Sequence, residues 1–344
     1  MDSDSLLFVG LVGTRHSRSL NYFHGIQEKG IRALWHEFNT TDFTRSLALL
    51  RKRLREHSGP VVVASPSHVL APLVLLLSGK RPVLDAGWPL LDGVIASRRS
   101  FVPLGLNFVK TYLIDFFAFH CSRLALVETE EQSSYSRRTF LLRKRKLEVL
   151  FTGCDEKRFP KLPAPESKSE KVVFFRGGNQ PEAGLDLLLG VCGDREFSDN
   201  KISFVIVSQG ISQERVLSHN VQIVNHAISD EEISTFYRNA WLALGQLSSH
   251  SRLKRTIPHK FFEAAFFSTP YLTANSPIME RFAKAGLVSV FTGGDSQSLK
   301  RTIIQFAQQS DVENMGRRLN ASYQETFSQN ALSERFLKWV KVRD

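Results

Sequence analysis

The segment Pro258–Leu272 constrains the fold most, because it combines a short apolar helix with a strand that follows it directly. A proline is tolerated at a helix start, and the apolar residues of Phe261–Phe266 recur at helical spacing. The helix ends before Pro270, since the residue that precedes a proline is pushed out of the helical region. Tyr271–Ala274 is typical of a short buried strand. A helix that runs directly into a buried strand is half of an α/β unit, so the segment predicts an α/β fold.

Two series of alternating strands and helices extend this pattern over the chain. Leu6–Val12 is a continuous apolar run of the kind found in buried parallel strands, and it begins the first series. A second series begins at Lys171–Phe175. Pro160–Glu170, rich in Pro, Ser, Lys and Glu, separates the two series and is typical of a linker. We therefore predict two doubly wound α/β domains, residues 1–160 and residues 171–322.

The composition limits the class of protein and its compartment. A hydrophobic fraction of 42% over 344 residues is typical of a globular chain with two domains. The three cysteines lack the spacing of metal ligands, which favours a reducing compartment and predicts neither a disulfide framework nor a metal site. The N-terminal segment carries acids where a signal peptide needs positive charge, and no apolar run is long and uninterrupted enough to span a bilayer. We therefore expect a cytoplasmic protein.

The formal net charge of +11 indicates either an anionic partner or a merely well-solvated surface. Nucleic acid, an anionic membrane surface and an anionic substrate are the three classes of partner that fit this charge. The sequence contains no zinc-finger, RNA-recognition or helix-turn-helix pattern, so we do not expect a nucleic-acid partner.

The densest group of basic residues, here called the basic cluster, lies between Ser136 and Lys146. Its members are Arg137, Arg138, Arg143, Lys144, Arg145 and Lys146. One interpretation is a solvated helix face. The other is a surface that meets anionic lipid, with Phe140 and the adjacent leucines partly inserted.

Glu263 is the one carboxylate of the predicted helix, and it lies one turn after the helix start. A carboxylate there is either a surface acid favoured by the helix dipole or a hydrogen-bond acceptor for a ribose. In the second case Lys260 and backbone N–H groups at the helix start would meet phosphate. Spacing alone leaves both interpretations open.

The pattern Pro258-x-Lys260-x-x-Glu263, followed by Pro270, resembles the donor-site signature of glycosyltransferase family 4, also called group 1. The resemblance implies the GT-B fold, an α/β fold in which two Rossmann-like doubly wound domains face a central cleft. It also implies transfer of a sugar from a nucleotide-sugar donor with retention of configuration, without a metal or other cofactor. In this fold a C-terminal helix, predicted here at 323–342, returns to pack on the first domain.

The same resemblance implies further donor-binding residues in the second domain. Arg176 follows a strand where the family has an arginine that holds the donor diphosphate. Ala183 replaces a second diphosphate-binding lysine, and Arg255 replaces a glutamate found in many members. Arg255 belongs to a basic loop that resembles a subset of the family. The predicted donor-binding residues are Arg176, Gly177, Asn225, His226, Arg255, Lys260 and Glu263.

The predicted acceptor side lies in the first domain. Asp85 closes the predicted strand Arg81–Asp85, and the carboxyl ends of parallel strands face the ligand crevice of such sheets. We therefore predict Asp85 as a catalytic candidate and Asp92, soon after it, as an acceptor-side residue; the alternative is that both are turn aspartates. Gly13 and Arg15, in the loop after the first strand, are the other acceptor-side candidates.

We interpret the chain as a retaining glycosyltransferase with a saccharide or lipid-linked acceptor, active in cell-surface polysaccharide or glycolipid synthesis. Residues 137–146 would make it peripheral on the inner face of the membrane. A sugar-nucleotide epimerase of the same fold would share the donor site. The departures at positions 183 and 255 favour a catalytically silent binding subunit, and a basic nucleic-acid binder is supported only by charge.

Overall fold

The structure, a computed structural model, describes residues 5–13, 17–97, 104–160, 170–178, 180–211 and 218–341. The chain forms two compact units. The first unit comprises Met1–Asp155 and Phe327–Asp344, and the second comprises Glu156–Thr326. Each unit contains a six-stranded parallel sheet. The predicted linker, Pro160–Glu170, lies almost wholly outside the described residues.

The sheet of the first unit has the strand order β2-β1-β3-β4-β5-β6. Its strands are β1 Leu6–Leu11, β2 Ala33–Phe38, β3 Val61–Val63, β4 Val83–Gly87, β5 Leu124–Val127 and β6 Leu147–Val149. Its helices are α1 Ser17–Glu28, α2 Phe43–Glu56, α3 Leu70–Ser78, α4 Leu90–Ser97, α5 Leu104–Cys121, α6 Glu130–Thr139 and, from the C-terminal segment, α14 Gln329–Lys341.

The sheet of the second unit has the strand order β12-β11-β10-β7-β8-β9. Its strands are β7 Lys171–Arg176, β8 Ile202–Val207, β9 Val221–Val224, β10 Leu242–Leu244, β11 Tyr271–Ala274 and β12 Ser289–Phe291. Its helices are α7 Leu185–Leu189, α8 Arg195–Asp199, α9 Asp230–Asn239, α10 His259–Phe266, α11 Pro277–Lys284, α12 Ser296–Ala307 and α13 Val312–Ser322.

The strand order of the second sheet reverses between β7 and β10. From β7 the chain runs outward through β8 and β9, and from β10 it runs the other way through β11 and β12. Open α/β sheets bind ligands outside the carboxyl ends of their strands at such a switch point. Arg176 ends β7 and Gly245 follows β10, so both residues lie at this point.

The C-terminal helix α14 packs in the core of the first unit. Leu332, Phe336 and Val340 share a buried cluster with β1 side chains, and the rings of Phe336 and Phe8 lie 5.7 Å apart. Gln329 at the start of α14 donates to the Glu28 carboxylate of α1 at 2.7 Å. Apolar burial and this polar contact together fix α14 against α1.

The prediction that Asp85 closes its strand is wrong, because β4 lies two residues further along the chain, at Val83–Gly87. Every residue of β4 is buried, and Asp85 occupies its middle. A carboxylate is tolerated inside a buried strand only when donors satisfy it. Arg18 and Ser19 supply those donors, at 2.7 and 2.8 Å.

The basic cluster does not lie along one helix face, since α6 ends at Thr139 and a 3-10 turn forms Lys144–Lys146. The interpretation in which Phe140 is partly inserted into lipid is wrong. Its ring is fully buried in the core of the first unit and lies 5.4 Å from the Tyr112 ring. Of the two adjacent leucines, Leu142 is buried and Leu141 is 78% exposed.

Within the described residues, no helix combines the length and the apolar character that crossing a bilayer requires.

Candidate functional site

A cavity of about 530 Å³ opens at the switch point of the second sheet. Its wall includes the end of β7, the loop that follows it, and the start of α10. The predicted donor-binding residues in this wall are Arg176, Gly177, His226 and Lys260. The fold therefore brings four of the seven predicted residues to one cavity, and Glu263 contacts that wall from behind it.

The Glu263 carboxylate is the centre of a buried hydrogen-bond network. Arg176 Nη2 donates to both carboxylate oxygens, at 2.6 and 2.5 Å. The Tyr237 hydroxyl donates to Oε2 at 2.8 Å, and His259 Nδ1 lies 3.1 Å from Oε1. A carboxylate has about four lone-pair positions, so this network occupies all of them.

Glu263 remains ionised despite being only 2% exposed. Burial by itself raises the pKa of a carboxyl group, because the interior disfavours the charged form. The Arg176 charge and the contacts with His259 and Tyr237 more than offset that effect, and hold the pKa of Glu263 well below its usual range. The interpretation of Glu263 as a surface acid favoured by the helix dipole is therefore wrong.

The local sequence explains why Glu263 points inward. α10 begins after Pro258 and buries Phe261, Phe262, Ala264 and Ala265 around most of its circumference. A helix of eight residues that is apolar on most sides places its one acid inside the protein. The acid is accommodated because Arg176 and Tyr237 reach it from β7 and α9.

Tyr237 was missed by the sequence analysis. Its ring is buried between aromatic side chains and lies 5.0 Å from the Phe174 ring and 5.6 Å from the Phe267 ring. Burial raises the pKa of its hydroxyl well above the usual value, so the group stays a proton donor to Glu263. In the sequence it occupies an ordinary core position of an amphipathic helix, and only the tertiary contact gives it a polar role.

Lys260 lies one turn before Glu263 and is almost fully buried. Its Nζ donates to the Gly245 carbonyl at 3.3 Å and lies 4.3 Å from the centre of the Phe175 ring. Burial, and then repulsion from Arg176, lower the pKa of Lys260 to about 7. An ammonium held this way binds an anion strongly, because the anion replaces solvation that the group lacks.

Gly177 is required by close packing rather than by backbone conformation. A Cβ atom placed there would approach the Phe175 ring to 2.8 Å and Lys260 Nζ to 3.3 Å. Its N–H is already bonded to the Val207 carbonyl at 3.0 Å, so it is not a free donor for phosphate. Its role is to let the chain pass beside the lysine.

Three buried polar atoms of the cavity wall have no hydrogen-bond partner within the part of the chain that is described: Arg176 Nε, Ser208 Oγ and Gln246 Oε1. Buried polar groups are normally bonded, so unsatisfied ones that line a cavity indicate a polar ligand. The sequence pattern did not indicate Ser208 or Gln246. Ser208 directly follows β8, and Gln246 is the second residue after β10.

The remaining predicted donor-binding residues are placed differently. His226 lines the cavity and is 68% exposed. Asn225 accepts a hydrogen bond from the Gly210 N–H at 2.7 Å and holds two loops together. Arg255 follows the 3-10 turn Ser251–Lys254, and the structure does not bring it to the cavity wall. Ala183 is buried in the core of the second unit.

The predicted residues of the first unit do not form a comparable site. Asp85 is fully buried, with its oxygens bonded to Arg18 and Ser19, so its catalytic role stays a prediction. Asp92 is buried in the first turn of α4. Gly13 is exposed just after β1, with a φ of +73° that favours glycine. Arg15 lies outside the described residues.

No group of three or more His, Cys, Asp or Glu side chains that could hold a metal ion occurs in the ranges that the structure describes.

Comparison with known proteins gives matches in structure but not in sequence. The sequence matches no protein-family model and no curated protein. HepE of Anabaena, solved with UDP-glucose, superimposes with a TM-score of 0.70 at 12% identity, over 98% of this chain and 99% of HepE. Sucrose-phosphate synthase of Thermosynechococcus elongatus gives a TM-score of 0.69 at 11% identity, over 98% of each chain.

A third match is a protein of Listeria monocytogenes assigned as a UDP-N-acetylglucosamine 2-epimerase. Its TM-score is 0.62 at 10% identity, over 97% of this chain and 95% of that one. Identities this low establish the fold and leave activity to be argued from the site. Together with the two parallel sheets, these matches show that the chain has the GT-B fold.

Proposed function

We propose that this protein is a glycosyltransferase that binds a nucleotide-sugar donor in the cavity of its second unit. The observation that carries the proposal is the meeting of Arg176 and Lys260 at a polar cavity on the switch point, with Glu263 behind them. HepE, which shares the fold, was solved with UDP and with UDP-glucose.

The two cations fit the chemistry of the leaving group. Breaking the bond between sugar and diphosphate leaves negative charge on the nucleoside diphosphate. Lys260 is held beside the cavity by the Gly245 carbonyl, and Arg176 is held at the cavity wall by Glu263, so both cations lie close to where that charge develops. Lys260 thereby supplies the second cation that position 183 lacks.

Glu263 has a double role in this proposal. All four lone-pair positions of its carboxylate are occupied in the structure, which leaves none for a ribose hydroxyl. When a diphosphate draws Arg176 into the cavity, two of those positions are released. The carboxylate then accepts from the ribose while Tyr237 and His259 keep it in place. Donor binding and the movement of Arg176 are thus coupled.

The finer assignments rest on the sequence resemblance and on the charge of the first unit. We propose retention of configuration, a saccharide or lipid-linked acceptor, and a role in cell-surface polysaccharide or glycolipid synthesis. The basic cluster, five of whose six residues are exposed, supports attraction to an anionic membrane at the inner face. No metal or other cofactor is part of this proposal.

Two other functions use the same donor cavity. An epimerase is favoured by the structural match to the protein of Listeria monocytogenes. A silent binding subunit is favoured by Ala183 and Arg255, where the family has a lysine and often a glutamate. Both alternatives predict donor binding, so binding alone does not separate the three.

The proposal is tested in two steps. First, thermal shift with a panel of UDP-, GDP- and ADP-sugars identifies the donor, because a ligand that binds only the folded chain raises its melting temperature. Second, incubation with that donor is analysed for free nucleoside diphosphate and for change in the sugar. We expect acceptor-dependent release of diphosphate. Interconversion of the sugar would support the epimerase, and binding without turnover across saccharide and lipid-linked acceptors would support the silent subunit.

A further inference from the structure

Helix α5 exposes an unusual line of large apolar side chains, here called the apolar stripe. Leu106, Val109, Leu113 and Phe117 are 79%, 51%, 43% and 50% exposed. Successive residues of a helix are rotated by about 100°, so these four lie within an arc of about 80°. They extend over about 16 Å of helix length. Single exposed apolar residues are ordinary, but a continuous row marks an interaction surface.

The opposite side of α5 fixes the direction in which the stripe points. Asp115, about 180° from Leu106 on the helix, is fully buried. Its carboxylate lies 2.6 Å from His68 Nδ1 and accepts the Leu91 N–H at 2.8 Å. Ala118 and Phe119 on that side belong to the core. These buried contacts, which a rotation of the helix would break, set the exposure of Leu113 and Phe117, whereas residues 105–110 at the start of α5 are exposed on every side.

The basic cluster adjoins this helix directly. His120 Nε2 lies 3.0 Å from the Phe140 carbonyl, and Lys146 Nζ donates to the His120 carbonyl at 2.9 Å. Positive charge also lies on the stripe's own side of the helix, where Lys110 is exposed. The only carboxylate of α5 is the buried Asp115. An apolar row bordered by cations and free of exposed acids complements a layer of anionic lipid headgroups over hydrocarbon.

We propose that the apolar stripe inserts into the headgroup–acyl boundary of an anionic membrane, with α5 lying in the plane of the interface. A second copy of this chain is the competing occupant. A two-fold dimer through the stripe would bring two basic clusters towards each other, which like charges oppose. The inference rests on the membrane attraction proposed above for the basic cluster. It adds that α5 is the part of the first unit that enters the membrane surface.

The test uses the full chain with vesicles and two sets of variants. Phosphatidylglycerol–phosphatidylcholine vesicles are compared with pure phosphatidylcholine vesicles by sedimentation. In the variant Leu113→Trp, the fluorescence of the introduced tryptophan reports how deeply the stripe enters the bilayer, through its emission wavelength and through quenching by lipids brominated on the acyl chain. The fluorescence of the native tryptophans, measured in the wild type, is subtracted. Leu49→Trp, at a residue of α2 that is 49% exposed, is the matched control.

We expect the emission of Leu113→Trp to shift to the blue and to be quenched by brominated anionic vesicles, and that of Leu49→Trp to do neither. Replacing Leu106, Leu113 and Phe117 together by Gln should lower the vesicle partition coefficient about tenfold or more, because less apolar surface is buried. Donor binding by thermal shift should be unchanged.

Three results would overturn the inference. Salt-reversible binding without quenching would leave the basic cluster as an electrostatic patch and remove the stripe from the interface. If the protein bound neither kind of vesicle, neither the basic cluster nor the apolar stripe would be a membrane-binding surface. A lipid-free dimer that the triple Gln variant dissociates would assign the stripe to a second copy. Each is independent of whether the cavity of the second unit binds a nucleotide-sugar.

Discussion

Replacing Glu263 by Gln tests the network that organises the donor cavity. The change keeps the shape of the side chain and removes its charge. Hydrogen bonds to a charged group contribute about 1.5–3 kcal/mol each, and neutral ones about 0.5–1.5 kcal/mol, so each bond that the remaining amide oxygen accepts loses about 1 kcal/mol. The new NH2 group is a donor and accepts none of the bonds that the second carboxylate oxygen accepted. Three donors contact the carboxylate, from Arg176, Tyr237 and His259. Because Arg176 is 29% exposed and partly screened, we expect a loss of about 2–3 kcal/mol in the stability of the second unit.

The same variant predicts a dependence on pH. The pKa of Glu263 is depressed in the folded chain, whereas its ordinary value is 4.5. As pH falls below 4.5, the unfolded chain binds a proton that the folded chain does not. The free energy of unfolding of the wild type then falls by up to about 1.4 kcal/mol per pH unit, until the pH passes the pKa of Glu263 in the folded chain. The variant has no carboxyl group at this position and therefore does not lose this stability. The difference in free energy of unfolding between wild type and variant is thus largest above pH 4.5 and becomes smaller below it.

Hydrogen exchange in urea, read on peptides from β7 and α10, measures this local stability without assuming that both units unfold together. Glu280→Gln, at an exposed residue of α11, is the control and should stay within about 0.5 kcal/mol of wild type. Equal stability of Glu263→Gln and wild type at pH 7, or a difference that is constant from pH 7 to pH 3, would refute the reasoning.

Three further changes follow from the same geometry. Tyr237→Phe removes one donor to Glu263 and should cost about 1.5–3 kcal/mol of local stability by hydrogen exchange, with weaker donor binding. Asp85→Asn deprives the buried Arg18 of its carboxylate and should cost about 3–5 kcal/mol in urea unfolding of the first unit, while donor binding by calorimetry is unchanged. Lys260 has a pKa of about 7, so donor affinity should weaken by up to about tenfold per pH unit above it, and Lys260→Met should abolish that slope.

Each of these expectations has a contrary result. A Tyr237→Phe protein with wild-type exchange would make the hydroxyl incidental. Loss of donor binding in Asp85→Asn, with the fold intact, would show that this carboxylate has a functional role besides its structural one. A Lys260→Met variant that keeps the wild-type pH profile would place the titrating group elsewhere.

The sequence predicted the α/β fold because apolar strands and amphipathic helices alternate along both halves, and these periods are local properties. The placement of α10 and β11 followed from Pro258 and Pro270, which restrict the backbone wherever they occur. The resemblance over Pro258–Glu263 led to Arg176 and Lys260, which the structure brings to one cavity, and to Glu263, which contacts Arg176 behind the cavity wall.

Other parts of the site were out of reach because they depend on contacts between distant residues. Tyr237 has the pattern of a core residue, and its contact with Glu263 spans 26 positions. The middle position of Asp85 in β4 depends on Arg18, 67 positions away, which makes a buried carboxylate tolerable. Phe140 was assigned to a surface because basic residues surround it in sequence, whereas Tyr112 and Phe119 surround it in space.

The most direct test of the central claim is isothermal titration calorimetry with the nucleoside diphosphates UDP, GDP and ADP. One of them should bind once per chain. Arg176→Met and Lys260→Met should each weaken that binding by at least about tenfold, the loss of roughly one charge-assisted hydrogen bond. Arg195→Met and Lys284→Met, at exposed residues of α8 and α11, should bind as wild type does. Failure of all three ligands to bind, or equal affinity in all four variants, would contradict the assignment of this cavity to a nucleotide-sugar.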